Sequence, residues 1–282
     1  MVIATRDRPE ALTHTVERLT DLDERPPVVV VDNASERAGT RRAMAQLEAR
    51  PGVEVLRLET NRGGAARTAG AELLLTPYVA FADDDSWWAH GALAGAVAIL
   101  EAHPRLGLVA GRVLVGPEES EDPVNEAMAR SPLPPDGEAP GPRVLGFVAC
   151  GAVVRRAAYL AVGGFHPAYG IGGEEELLAL DLSTAGWGLS YVETVVAHHH
   201  PSASRDLAAR RRGQLRNALW TAWLRRSPRA AIRRTREILR AAGPSLEAVG
   251  GAVDALRGLR WVAAERRPVA AELEADLRRL EG

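Results

Sequence analysis

The chain has 282 residues, with 35 basic and 37 acidic side chains, 46% hydrophobic and 5% aromatic residues, and one cysteine. That composition excludes a disordered or fibrous protein, and at ~100–200 residues per domain it accommodates one large domain with an appendage or two small ones. The charge is uneven: residues 1–200 hold 17 arginines against 28 carboxylates, residues 201–282 hold 18 against 9, and there is no lysine, so any side-chain cation contacting phosphate is a planar guanidinium.

Val2 to Thr5 and Val28 to Asp32 are β-branched runs too short for helices and bounded by turn chemistry, which predicts buried strands. Each precedes a helical pattern: Pro9-Glu10 with Leu12, Val16 and Leu19 after the first, Arg41 to Ala49 after the second. Val53 to Leu58 follows as a strand, Arg67 to Leu75 as a helix and Tyr78 to Ala82 as a strand. This alternation predicts a parallel sheet covered by helices, with ligands beyond the carboxyl ends of the strands. The first strand is short for a central one, which leads to the expectation that the natural start lies upstream. Gly116 to Arg143, rich in Pro, Glu and Gly, reads as a long mobile loop of the kind that forms lids. Val144 to Val154 reads as a strand, Glu174 to Ala185 as a helix and Leu189 to Ala197 as a strand. From Ser204 onward the pattern is helical, broken at Pro228, Gly243-Pro244 and Pro268.

The polar motifs fall at the predicted strand ends. Asp83-Asp84-Asp85 follows the strand YVAFA, and three adjacent carboxylates repel unless a cation or donors compensate. Either Mg²⁺ or Mn²⁺, taking oxygen ligands and completing its shell with substrate phosphate, or a solvated acidic turn capping the next helix would account for them. His198-His199-His200-Pro201 closes the strand YVETVVA, where an imidazole can complete a metal shell or belong to a surface cluster. Gly172-Gly173-Glu174-Glu175-Glu176 opens a helix; its carboxylates suit the helix dipole, and one of them can act as general base for a hydroxyl. In Asn61-Arg62-Gly63-Gly64-Ala65-Ala66-Arg67, small residues permit close backbone approach and Arg67 offers a bidentate fork to phosphate.

In order, VIATRDRPEAL, VVVVDNAS, NRGGAARTAG, AFADDDSWW, VACGAVVRRAAYLAVGGF, GGEEELLALDLSTAGW and VVAHHHP resemble family 2 glycosyltransferases of the GT-A fold over roughly residues 1 to 206. The resemblance implies an α/β, Rossmann-like, mostly parallel sheet with helices on both faces as a catalytic domain at 1–203, followed by a helical extension at 204–282. It further implies a nucleotide-sugar site at Thr5, Arg6, Arg8, Asp32, Asn61, Gly63, Arg67, Asp83 and Asp84, with Asp32 facing the base and Asp83 the ribose. Asp85 and His199, with His198 as the alternative, match the ligands of Mg²⁺ or Mn²⁺. Glu175 stands where the family's Glu-Asp element places an aspartate base; the glutamate adds a methylene, and Glu174 or Glu176 are alternatives. The implied chemistry is inverting transfer from a nucleotide-sugar donor to a carbohydrate, lipid-linked or small-molecule acceptor, in cell-envelope or secondary-metabolite synthesis, without nucleic acid. The competing readings are a catalytically silent GT-A-like scaffold and a sugar-1-phosphate nucleotidyltransferase, whose N-terminal glycine-rich loop is replaced here by TRDRP.

The arginines of the tail alternate with Leu215, Leu219, Trp220, Trp223 and Leu224, so the extension either packs its apolar stripe on the catalytic domain or contacts anionic lipid peripherally. Ser86 to Leu100, free of Asp, Glu, Lys and Arg, falls short of the ~18–20 apolar residues of a membrane span. Without an apolar signal core in MVIATRDRP, and with Cys150 alone, the expected location is cytoplasmic, at most peripheral at the inner membrane face.

Overall fold

The computed structural model describes residues 1–135, 137, 139–201 and 207–281. Its strands are β1 (Val2–Thr5), β2 (Val28–Asp32), β3 (Val53–Arg57), β4 (Tyr78–Asp83), β5 (Ser86–Trp88), β6 (Leu106–Val115), β7 (Ser120–Glu121), β8 (Ala152–Arg155) and β9 (Gly188–His199). They form one mixed sheet in the order β3-β2-β1-β4-β8-β6-β9-β5, with β7 paired to β6. The β3-β2-β1-β4 half is parallel, whereas β8 runs antiparallel to both β4 and β6.

The period-2 geometry of a strand explains why VVVVD is apolar almost throughout. Val29 and Val31 enter a core on one face of the sheet with Val2 and Phe81, while Val28 and Val30 enter a core on the other with Ile3. Helix α1 (Pro9–Thr20) contributes Leu12, Val16 and Leu19 to the second core, as their helical spacing requires. Helices α2 (Ala38–Glu48), α3 (Ala66–Leu73), α4 (Ala92–Ala102), α5 (Pro123–Ala129), α6 (Arg156–Ala161) and α7 (Glu174–Thr184) follow in chain order. Helix α4 and strand β6 are elements the sequence pattern did not mark, because both are mostly apolar and carry no clear period.

Two expectations are corrected. The strand expected from Val144 begins at Ala152, since Ala149–Gly151 form a 3₁₀ turn. Within Gly116–Arg143 a two-residue strand and helix α5 are anchored: Asp122 caps Val124 N at 2.9 Å, and the buried Asn125 bonds Val113 N and O at 3.0 and 2.8 Å. Asp-Pro at a helix start was a legible signal there. Residues 136 and 138 lie outside the described residues, as does the expected boundary at 203/204.

The later helices are α8 (Leu207–Arg225), α9 (Pro228–Ala242), α10 (Leu246–Arg257), α11 (Leu259–Ala264) and α12 (Ala271–Glu281). Leu215, Leu219, Trp220 and Leu224 of α8 form a core with Tyr169 and Leu177, so its apolar stripe packs on the sheet-bearing part of the chain. Several tail arginines are consumed internally: Arg225 pairs with Asp181, Arg226 with Glu274 and Glu281, and Arg212 with Asp254. No described helix is long and apolar enough to cross a membrane.

Candidate active site

The site begins where β1 and β4 lie side by side, Ala4 level with Asp83. Their carboxyl ends set Thr5 beside the acidic triplet, and Thr5 Oγ1 donates to Asp84 Oδ2 at 2.7 Å. Asp83 N donates to Ser86 Oγ at 2.7 Å, closing a two-residue turn at Asp84 and Asp85. The chain then reverses into β5, not into a helix, and pairs antiparallel with the end of β9, Ser86 opposite His199. His200 N donates to Asp85 O at 2.8 Å and secures the junction. This pairing draws one donor atom each of Asp83, Asp85 and His199 to within 4.8 Å of one another. His199 Nε2 stands 3.4 Å from Asp85 Oδ1.

Adjacent residues of a strand point to opposite faces, which separates the two candidate histidines. His198 turns away: its Nδ1 lies 2.9 Å from Glu119 and its ring stacks on Trp87, so it is no alternative to His199 as a ligand. Trp87 is held among His14, His198 and His200, and the buried Trp88 donates to Phe81 O at 3.1 Å. Both tryptophans serve packing.

Arginines moderate the repulsion within the triplet. Arg8 bridges Asp84 and Asp85, its Nη2 2.7 Å from Asp85 Oδ2, and the buried Arg67 bonds Asp83. Burial raises the Asp84 carboxyl to about 6 even though Arg8 and Thr5 oppose it. Burial acts the same way on Asp85, but hydrogen bonds from His199 and Arg8 prevail and hold that carboxyl well below the usual carboxylate range. Two guanidinium groups serve three carboxylates, and two of those carboxylates share a cluster with an imidazole. That donor set fits a hard divalent cation such as Mg²⁺ or Mn²⁺.

Opposite the triplet, two glycine-bearing loops touch. Gly63 has φ +55°, and a Cβ there would lie 2.4 Å from Gly170 Cα, so no side chain fits. Gly64 N donates to Gly170 O at 2.6 Å. Gly172 and Gly173 also take positive φ, turning the chain sharply into α7. At that helix start Glu174 is buried and accepts a hydrogen bond from Gly172 N, its carboxylate pressed against Gly64. Burial raises the Glu174 carboxyl, and the neighbouring Glu175 raises it further. Glu175 is also raised, first by burial and then by Asp83, against the pull of backbone N–H groups and Arg67.

Helix α8 braces this loop. Asn217 Nδ2 donates to Tyr169 O at 2.9 Å and Gly172 O at 2.7 Å, Arg216 reaches Tyr169 O, and Tyr169 Oη lies 2.8 Å from Thr221 Oγ1.

The cleft so formed has a volume of about 660 Å³ and is lined by Thr5, Arg6, Arg8, Asn61, Gly63, Arg67, Asp83, Asp84, Asp85, Glu174, Glu175 and His199, all expected from sequence. Asp32 does not line it: its Oδ1 accepts Ser35 N at 2.9 Å, and its buried Oδ2, 3.5 Å from Arg57, has no hydrogen bond among the described residues. Sequence reasoning missed Asn33, whose Oδ1 accepts Arg62 N at 2.7 Å at the cleft edge; its place directly after a buried strand was the available signal. It also missed Arg210 and Arg216, which line the cleft from α8 and whose pattern is that of any amphipathic helix.

A family model, Glycosyl transferase family 2, matches residues 1–163, more than half of the chain. The chain belongs to that family. It is a glycosyltransferase taking its sugar from a nucleotide sugar, a family distinct from the nucleotidyltransferases. The family 2 chain also shares its fold with solved structures. It is similar to the mannosyltransferase PcManGT from Pyrobaculum calidifontis in complex with GDP-Man and Mn²⁺, at 19% identity, TM-score 0.60, covering 99% of this chain and 84% of that one. It is similar to S. aureus TarS 1-349 in complex with UDP-GlcNAc, at 15% identity and TM-score 0.65, covering 94% and 80%. A third likeness is to GalNAc-T7 with UDP, GalNAc and Mn²⁺, at 16% identity and TM-score 0.65, covering 94% of this chain and 55% of that one. No curated protein matches.

Proposed function

We propose that this family 2 glycosyltransferase transfers its sugar, with inversion at the anomeric carbon, to the hydroxyl of a carbohydrate, lipid-linked or small-molecule acceptor in cell-envelope or secondary-metabolite synthesis. The observation that carries the reading is the shared cleft, in which Glu175 faces the same cavity as the Asp83, Asp85 and His199 cluster. Glu174 is tied into its own loop, which leaves Glu175 as the base. Its carboxylate takes the acceptor hydroxyl's proton while the acceptor oxygen forms a bond to the anomeric carbon. The bond from that carbon to the donor phosphate oxygen breaks, and the nucleoside diphosphate leaves with the electron pair. Asp83, Asp85 and His199 would hold Mg²⁺ or Mn²⁺, whose contribution when bound is to neutralise charge on the diphosphate. Arg67, held against Asp83, orients that carboxylate toward the donor side. The base-reading role expected of Asp32 has no support from the cleft, which that buried residue does not line.

A donor panel read by nucleotide release, with and without chelator, tests this. Release should require Mn²⁺ or Mg²⁺, and Glu175→Gln should remove transfer while a metal-dependent thermal shift with the matching nucleoside diphosphate persists. Unchanged turnover in Glu175→Gln would overturn the base assignment. A metal-independent nucleotide shift would overturn the metal assignment.

A further inference from the structure

Helices α9 and α10 each expose a face whose residues do not line the cleft. On α9 the exposed residues Arg229, Ile232, Arg236, Leu239 and Arg240 recur three and four positions apart, so they share one helix face. Among the described residues Arg229, Arg236 and Arg240 form no ion pair, in contrast to Arg233 of the same helix, 2.9 Å from Glu281. Helix α10 is apolar on two faces. Ala248, Gly251 and Ala255 are buried, with Ala248 and Ala255 in the core shared with α8, while Leu246, Val249, Val253 and Leu256 are 41% to 89% exposed at helical spacing. Large apolar side chains concentrated on a solvent-facing stripe mark an interaction surface.

We propose that these two helix faces, the basic one of α9 foremost, dock this enzyme on an anionic lipid bilayer. The charge selects the occupant. Unpaired guanidinium groups alternating with Ile232 and Leu239 match an interface that is negative at the headgroups and apolar just beneath, and long arginine side chains extend past the buried stems to reach phosphate. A second copy of the chain meeting this face symmetrically would oppose like charges. The inference does not depend on the assignment of Glu175, because docking is read without catalysis.

The test is flotation of the whole chain with vesicles of phosphatidylcholine alone and of phosphatidylcholine with phosphatidylglycerol. Binding is expected only with phosphatidylglycerol and should weaken as salt rises. At the usual contribution of a surface cation to anionic bilayers, Arg229→Gln/Arg236→Gln/Arg240→Gln should lower partitioning on the order of a hundredfold. Val249→Ser/Leu256→Ser should weaken what binding survives in high salt. Circular dichroism and the nucleotide-dependent melting shift, which none of these residues touches, should match the parent and establish folding. Failure to float with phosphatidylglycerol, equal binding to both vesicle types, or parent-like binding of the triple variant would overturn the proposal. A concentration-dependent dimer in light scattering that Val249→Ser/Leu256→Ser dissociates would overturn it in favour of self-association.

Discussion

Asn217 offers the most exacting test of how the tail serves the cleft. It is fully buried on α8, and its side-chain amide donates to the carbonyl oxygens of Tyr169 and Gly172 at 2.9 and 2.7 Å. Gly173, the residue preceding α7, lies 3.4 Å from the Asn217 Cβ, measured from where a β-carbon would stand. Replacing Asn217 with alanine removes both donors. Tyr169 O retains the Arg216 bond, so its loss is modest, whereas Gly172 O loses its side-chain partner. At about 1 kcal/mol net for one bond and about 1–3 kcal/mol for a carbonyl left underbonded, the variant should lose about 2–4 kcal/mol. For a chain of this size that lowers Tm by about 3–7 °C. The kinetic effect should be sharper than the stability effect suggests, because displacing a catalytic group by about 1 Å can cost on the order of a hundredfold. The expectation is kcat reduced about 10–100-fold, with donor KM within about threefold because Arg67 and Asp83 are held by other elements. Asn217→Asp preserves the shape but sets an acceptor oxygen against both carbonyls, and should be at least as destabilising as alanine. Initial rates measured well below Tm, alongside thermal melts, decide the matter. A variant that melts lower yet keeps kcat within about twofold would refute the positioning argument and leave Asn217 a purely structural residue.

The pH profile carries a signed expectation. Burial raises the Glu175 carboxyl, a protonated carboxyl cannot accept the hydroxyl proton, and transfer should therefore fall as pH decreases, along an acid limb above the ordinary glutamate value of about 4.3. A limb at or below that value in a kcat profile contradicts the assignment. Gly63→Ala forces a methyl group against Gly170 at positive φ, and should cost about 2–4 kcal/mol in urea denaturation while weakening nucleotide binding. Arg8→Met takes one of two counter-cations from the triplet; without metal its Tm should fall below the parent's, and Mn²⁺ should recover more of it than it adds to the parent. Equal Mn²⁺ shifts in the two proteins would show that Arg8 does not offset the carboxylates.

Much of the site was legible because its chemistry is local in sequence. Asp83 to Asp85 at a strand end, the glycines at 63 and 64, and the acidic start of α7 each announce themselves within a few residues. What the sequence hides is which neighbour points where. The sequence favours His199 over His198 only by its spacing to Pro201, and the pleat of β9, fixed by Ser86 opposite His199, decides between them. Glu174 and Glu175 differ in the same way: the close packing of Gly64 and the Gly172 amide claims Glu174 for structure. The arginine-rich tail was the least legible part. Arg226, buried against Glu274, and Arg236, exposed and unpaired among the described residues, belong to one residue type, and only the folded partners distinguish their uses. Helix α4 and strand β6 escaped because an apolar run without period fits either element.

The β5–β9 pairing has a consequence for biosynthesis. Asp83 and Asp85 leave the ribosome early, but the imidazole that joins them belongs to the far end of β9, which must first lie between β6 and β5. Contacts between distant parts of a chain form late and slowly. Cation affinity should therefore emerge abruptly when the last strand seats instead of growing with the nascent chain, so an incomplete polypeptide would not sequester donor nucleotide.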